Sequence, residues 1–276
     1  MLTDLHVHLR RDELEHTAAE HFTAANAERY LETAAELGVQ YLGVSEHIHR
    51  FEQALSIWTH PFWLSNARDD IERYCAFVRE ETELHLGIEA DFVPGREDRT
   101  ASLLDEYEWD YVLGSVHFLG DAAVDMRGEW DVWRSGADPD RVWRTYFETL
   151  GEAARSGLFD VLTHPDLVKV WGRETPRPDG DLRRFYDLAM DGIAESDVAI
   201  EVSTSGLRKP VGEIYPAPAF LEMCIDAGRP IALSSDAHTA GDLAYRYDAA
   251  LELLESLGVD RIAVFDRRKR SLEPLG

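Results

Sequence analysis

Eight short runs of apolar and β-branched residues punctuate the chain, at 2–8, 41–47, 85–92, 111–117, 159–164, 198–204, 230–236 and 261–265, with longer amphipathic stretches between them. That alternation is the signature of βα units wound around a parallel sheet. Helical periodicity is read over 26–37, 68–83, 139–156, 182–195, 218–227 and 243–257, with Ala, Leu and Tyr on one face of the first and Gly38 as its C-cap. Seven or eight such units in 276 residues predict one α/β barrel spanning 1–276. The longest Pro/Gly-rich stretch, near 175–180, is too short to be a linker. The chain starts without the basic-then-apolar pattern of a signal peptide, and no apolar run nears the roughly 18 residues of a membrane span. A soluble, cytoplasmic protein is expected.

The strand ends carry the chemistry, because the active sites of such barrels lie at the C-terminal ends of the strands. In order they read His6 and His8, Glu46-His47, Glu89 with Asp91, His117, His164-Pro165-Asp166, and Asp236 with His238. The first pair is spaced i, i+2, so a strand turns both imidazoles to one face. Six of the eleven histidines sit at a strand terminus, where scattered core histidines would rarely gather. Six imidazoles and at least two carboxylates exceed the needs of one four-coordinate ion, and the set predicts two or three divalent ions sharing carboxylates. Clustered ions lower the pKa of a shared water and clamp the oxygens of an in-line displacement, which suits phosphate-ester hydrolysis. Nitrogen and oxygen donors without thiolate suit zinc, iron and manganese alike.

Two inserts break the βα rhythm. Residues 49–64 carry Phe51, Trp58, Phe62 and Trp63, and residues 120–134 carry Trp130 and Trp133; each follows a strand end and is expected over the barrel mouth. The net charge of −25 argues against nucleic acid or anionic membrane as partner, since both need a basic face. Only three lysines, Lys169, Lys209 and Lys269, stand among the 28 basic residues. Such a surface suits a high-salt cytoplasm, where ions screen self-repulsion, and an Arg-rich codon bias explains the lysine shortage equally well. Cys75 and Cys224 lie in helix-like stretches far apart in sequence and read as reduced thiols packed as small hydrophobes.

Taken together, the strand-one His-x-His, Ser45-Glu46-His47, Gly87-Ile88-Glu89, Gly114-Ser115-Val116-His117, Thr163-His164-Pro165 and Ser234-Ser235-Asp236-Ala237-His238 resemble the PHP (polymerase and histidinol phosphatase) metallophosphoesterases. The resemblance runs from residue 2 to about 265, and the Gly-Ser-Val-His segment and residues 160–169 look most like the histidinol-phosphate phosphatase branch. It implies a distorted (βα)7 TIM-like barrel holding three metal ions. His6, His8, Glu89 and Asp236 would hold the first ion, Glu89 would bridge to a second bound by His117 and His164, and His47 with His238 would hold the third. Family members usually give that third ion one more ligand soon after the His-x-His pair. Here Leu9-Arg10-Arg11-Asp12 does not align cleanly, and Asp12, His16 and His21 compete, with His21 preferred. Glu89, Asp236 and His238 would stand at the reacting centre.

A small phosphate ester as substrate also needs cations, and the guanidinium fork matches phosphate. Lys169 and Arg173 follow the His164 motif, while Arg208 and Lys209 follow the sixth run, so these four are expected to bind substrate. Trp58, Trp63, Phe118 and Glu201 are candidates for the imidazole and amine of histidinol. The alternatives are a PHP phosphoesterase acting on another small ester or a nucleotide, an amidohydrolase barrel, and a non-catalytic metal-binding protein. An amidohydrolase commonly bridges its metals with a carboxylated lysine after strand four, and no lysine precedes position 169.

Overall fold

Seven parallel strands build the sheet that carries the site, in the spatial order β1 (Thr3–Asp4), β2 (Tyr41–His47), β3 (His85–Asp91), β4 (Tyr111–Ser115), β7 (Val161–Leu162), β8 (Ala199–Ser203) and β9 (Ile231–Ser234). In the computed structural model, which describes residues 1–11, 18–134 and 136–276, the sheet curls until its two edges meet. They meet through a parallel bridge between Val7 and Ala237, with His8 N donating to Ala237 O at 2.8 Å and Ala237 N to His6 O at 3.1 Å. The result is a nearly closed barrel, as the βα rhythm predicts.

Helices fill the crossovers. Helices α1 (Ala18–His21) and α2 (Ala24–Glu36) lead to β2, α3 (Pro61–Asn66) and α4 (Ile71–Glu81) to β3, α5 (Glu97–Leu104) to β4, α6 (Pro139–Arg155) to β7, α7 (Arg183–Glu195) to β8, and α8 (Pro218–Asp226) to β9. Their starts follow capping chemistry: Thr23, Asp70 and Asp138 each accept a backbone N–H of the first turn. Gly38 ends the α2 segment at φ +75°, as its place in the sequence requires. Helix α5, eight residues long, is too short to show a period and escapes the sequence reading.

The eighth apolar run does not join the barrel. It forms β10 (Arg261–Asp266), which follows α9 (Tyr247–Ser256) and pairs antiparallel with β11 (Lys269–Pro274). Its Ala263, Val264 and Phe265 pack with Leu5, Tyr41, Tyr111, Leu113, Val161, Ala199 and Ala232, and so plug the barrel interior at the end opposite the site. Tyr111 lies across that interior and donates to Leu5 O at 2.7 Å. A Cβ on Gly43 would stand 2.1 Å from its hydroxyl and one on Gly87 2.3 Å from its ring, so the narrow barrel holds this aromatic only where two neighbouring strands give up their side chains.

The two inserts meet above the opposite end. The hairpin of β5 (Phe118–Leu119) and β6 (Ala122–Ala123) opens the second insert. His60 Nε2 lies 3.2 Å from Asp121 O, the His60 and Trp130 rings sit 4.3 Å apart, and Trp58 meets Phe118 edge-on at 5.1 Å. Phe62 and Phe118 face the cavity beneath, while Trp63 is fully buried in support. No helix among the described residues is long and apolar enough to cross a membrane.

Candidate metal centre

Glu89, near the end of β3, stands in the middle of the histidines with its two oxygens facing different partners. Its Oε2 is 3.3 Å from His6 Nε2, 3.7 Å from His8 Nε2 and 2.5 Å from His47 Nδ1. Its Oε1 is 3.1 Å from His164 Nε2 and 3.5 Å from His117 Nε2. Asp236 Oδ1 completes the first group at 3.6 Å from the Nε2 of both His6 and His8. Two ligands of one tetrahedral ion with bonds of about 2.1 Å stand about 3.4 Å apart, so the His6, His8 and His117 spacings suit donors shared by a cation, while His47 and His164 approach Glu89 at hydrogen-bond length. A further group joins His8, His47 and His238.

The outer nitrogens show how the donors are aimed. His6 Nδ1 donates to Glu201 Oε1 at 2.9 Å and His117 Nδ1 to Asp91 Oδ1 at 2.7 Å, which leaves each Nε2 lone pair pointing inward. This carboxylate–imidazole pairing is how metal-binding histidines are oriented. Glu201 also accepts the backbone N–H of His164 at 2.6 Å, so one carboxylate fixes two donors. Although fully buried, His6 Nε2, both ring nitrogens of His8 and Glu89 Oε2 have no hydrogen-bond partner among the described residues. Buried polar atoms are paired in nearly all native structures, and a divalent cation would supply the missing partner here.

Electrostatics agree. Burial would raise the Glu89 carboxyl, but the imidazoles of His47, His6 and His117 outweigh it and hold the group well below the usual carboxylate range. Burial opposes charge on His117, yet Glu89 and Asp91 push it up to about 10. His164 and Asp236 take left-handed backbone conformations, φ 27° and 53°, as they leave their strands. Such residues cost about 1–3 kcal/mol each and persist where surroundings hold them. Glu201 holds the first, and Arg208, donating Nη2 to Ser235 O and Asp236 O at 2.9 and 2.8 Å, holds the second.

A scan against family models matches the PHP domain over residues 12–205. The chain belongs to the PHP family. A Deinococcus radiodurans protein named "Probable histidinol-phosphatase" is 33% identical to this PHP chain over 248 residues, covering 87% of the chain and 90% of the relative. The Bacillus subtilis histidinol-phosphatase is 26% identical, covering 81% and 91%. Among solved structures, the histidinol phosphate phosphatase of Lactococcus lactis, complexed with zinc, L-histidinol and phosphate, superposes with a TM-score of 0.71 at 18% identity, covering 98% of each chain.

Within this PHP barrel the structure gathers eight of the nine expected metal ligands: His6, His8, His47, Glu89, His117, His164, Asp236 and His238. The ninth, His21, is buried beside Leu9, Asn26 and Tyr30 and joins none of the three groups; its rivals Asp12 and His16 lie outside the described residues. His8 stacks against both His47 and His238, with ring centroids 4.2 and 4.3 Å apart.

The expected cations fare differently. The donors open into a cavity of about 390 Å³ whose wall includes Lys209 and, unforeseen, Arg10 and Arg11. Lys169 is buried against Asp166 (2.9 Å) and Glu213 (3.2 Å), Arg208 grips the Asp236 backbone, and Arg173 is exposed away from the cavity. None of the three lines it, since a loop position after a strand does not say which way a long side chain turns. Arg10 pairs with buried Asp69, while Arg11 is exposed at the mouth. The closeness of both arginines to the His-x-His pair was the available signal. Glu201, expected against the substrate amine, is 0% exposed and spent on His6 and His164; Trp58 and Trp63 stand behind the lining, and Phe118 is part of it.

Proposed function

We propose that the protein, working as one barrel over its 276 residues, hydrolyses L-histidinol phosphate to L-histidinol and phosphate. The observation that carries this reading is Glu89, whose two oxygens face two histidine sets at ligand spacing behind a cavity that His47, His117, His164, Asp236 and His238 line and that is sized for a small ester. The names of the relatives, and the L-histidinol and phosphate bound by the Lactococcus lactis protein, supply the substrate.

His6, His8, Glu89 and Asp236 would hold one divalent ion, Glu89, His117 and His164 a second, and His47 with His238 a third, with zinc, manganese or iron as the candidates. When bound, such ions supply an acidified water and Lewis-acid neutralisation of phosphoryl charge. The chain's own residues do the rest. Glu201 and Asp91 keep the protons of His6 and His117 on Nδ1, and Arg208 fixes the Asp236 turn. Arg11 and Lys209 offer their charges to the phosphate from the cavity wall. Phe62, Phe118, Met126 and Trp171 line the remainder and exclude water from the ester.

The test is release of inorganic phosphate from L-histidinol phosphate beside AMP and 4-nitrophenyl phosphate, with added Mn²⁺ or Zn²⁺ in high salt. A strong preference for L-histidinol phosphate, abolished by chelator, is expected. Hydrolysis of only AMP or the aryl ester would replace the substrate with another small phosphate ester.

A further inference from the structure

Two carboxylates line the cavity, Asp236 and Asp125. Asp236 faces His6 and His8 and is occupied by the metal donors. Asp125 acts on His117 through space only: its Oδ1 is shut off from solvent and meets no hydrogen-bond donor among the described residues. Leaving a carboxylate oxygen buried and unpaired is costly, so it calls for a cationic or donating group.

The backbone around Asp125 is tied down. The preceding Val124 donates its N–H to His117 O at 2.9 Å, directly at a metal-donor residue, and its carbonyl accepts the Trp171 indole N–H at 2.9 Å. The carboxylate is thus held on the wall just above the donors, beside Met126, Phe118 and Trp171. Lys209 and Arg11 line the same cavity. The cavity is therefore charged in opposite senses: cationic where a phosphate would lie and anionic at one wall point among apolar side chains.

We propose that Asp125 receives the ammonium group of the substrate, so that the site selects phosphate monoesters carrying a protonated amine close to the ester oxygen. The inference rests on the reading above, in which the substrate is L-histidinol phosphate, and names the residue that recognises its amine. The amine is a hard cation fully charged at neutral pH, and the imidazole is left to the aromatic wall. Asp125 acts in binding and takes no part in bond cleavage.

The test compares wild type with Asp125→Asn on L-histidinol phosphate, 2-aminoethyl phosphate and 4-nitrophenyl phosphate, which carries no amine. Loss of a charge-assisted hydrogen bond predicts a fall of roughly 10- to 100-fold in kcat/KM for both amines, with the aryl ester changed less than about twofold. In wild type, N-acetylation of L-histidinol phosphate should cost a similar factor, and in the variant almost nothing further. That second comparison needs no folded variant for its first half, since a wild type indifferent to acetylation overturns the proposal. Equal losses on all three esters, or an unchanged preference in the variant, also overturn it. If wild type instead prefers 2-aminoethyl phosphate to L-histidinol phosphate and Asp125→Asn abolishes that preference, Asp125 keeps its role and only the substrate assigned above falls.

Discussion

Glu201 shows how much one buried side chain can set. Its Oε1 takes the His6 ring proton and its Oε2 the His164 amide, so it orients donors on two strands without facing the cavity itself. Glu201→Gln keeps the shape but leaves one acceptor where two are needed, so the His6 ring proton or the His164 amide loses its partner. A loss of about 10- to 100-fold in metal affinity is expected, the usual effect of removing such a partner. Metal content per chain after dialysis against graded chelator, with circular dichroism as the folding control, reads it; unchanged metal retention would refute the positioning role. The donors themselves were legible in the sequence, because His, Asp and Glu concentrated at strand ends have few other reasons to be there. The cations were not. Lys169 and Lys209 occupy equivalent-looking loop positions, yet one is drawn inward by Asp166 and Glu213 and the other reaches the cavity. Only three-dimensional neighbours decide that.

At the scale of elements, helices α6 and α7 pack so closely that a Cβ on Gly192 would sit 2.1 Å from Gly151 O. Both partners there are backbone, so neither can yield by a rotamer change. Gly192→Ala is expected to destabilise the fold by about 1–3 kcal/mol, as overpacking does, despite alanine's better helix propensity. A lowered urea midpoint at unchanged m-value checks it, and a stabilised variant would show that the helices can part freely. The same scale explains the eighth apolar run. Its Ile262, Ala263, Val264 and Phe265 read as another strand of the sheet, and periodicity alone cannot say that the run will pair with its own continuation and stopper the barrel. The capped helices α2, α4 and α6 were legible because their limits are written in local chemistry.

At the scale of the molecule, several phenols are buried with their hydroxyls bound to backbone oxygens: Tyr111 to Leu5, Tyr74 to Gly87 and Tyr247 to Thr3. Burial raises all three well above the ordinary value of 10.0. The folded state therefore holds these protons more tightly than the unfolded one. The stability this brings is whole below about pH 10 and is lost as pH rises further. Phenolate absorbance from the buried tyrosines should accordingly appear in one step together with loss of circular dichroism. A gradual titration of all ten tyrosines near pH 10 in the folded protein would contradict it.

The bridge between Val7 and Ala237 is where the barrel's first and last sheet strands are joined, and His6, His8, Asp236 and His238 flank it on either side. Residues more than 200 positions apart in sequence therefore share one set of donors, and cations seated there would act as a clasp on the seam. Loading the donors therefore needs contacts more than 200 positions apart in sequence to be in place already. In deuterium exchange, the amides of His8 and Ala237, which span the joint, should exchange markedly faster after chelation, while those of β3 and β4 on the far side keep their pace. An occupied centre would thus set how long the cylinder stays shut, apart from anything it does to a substrate.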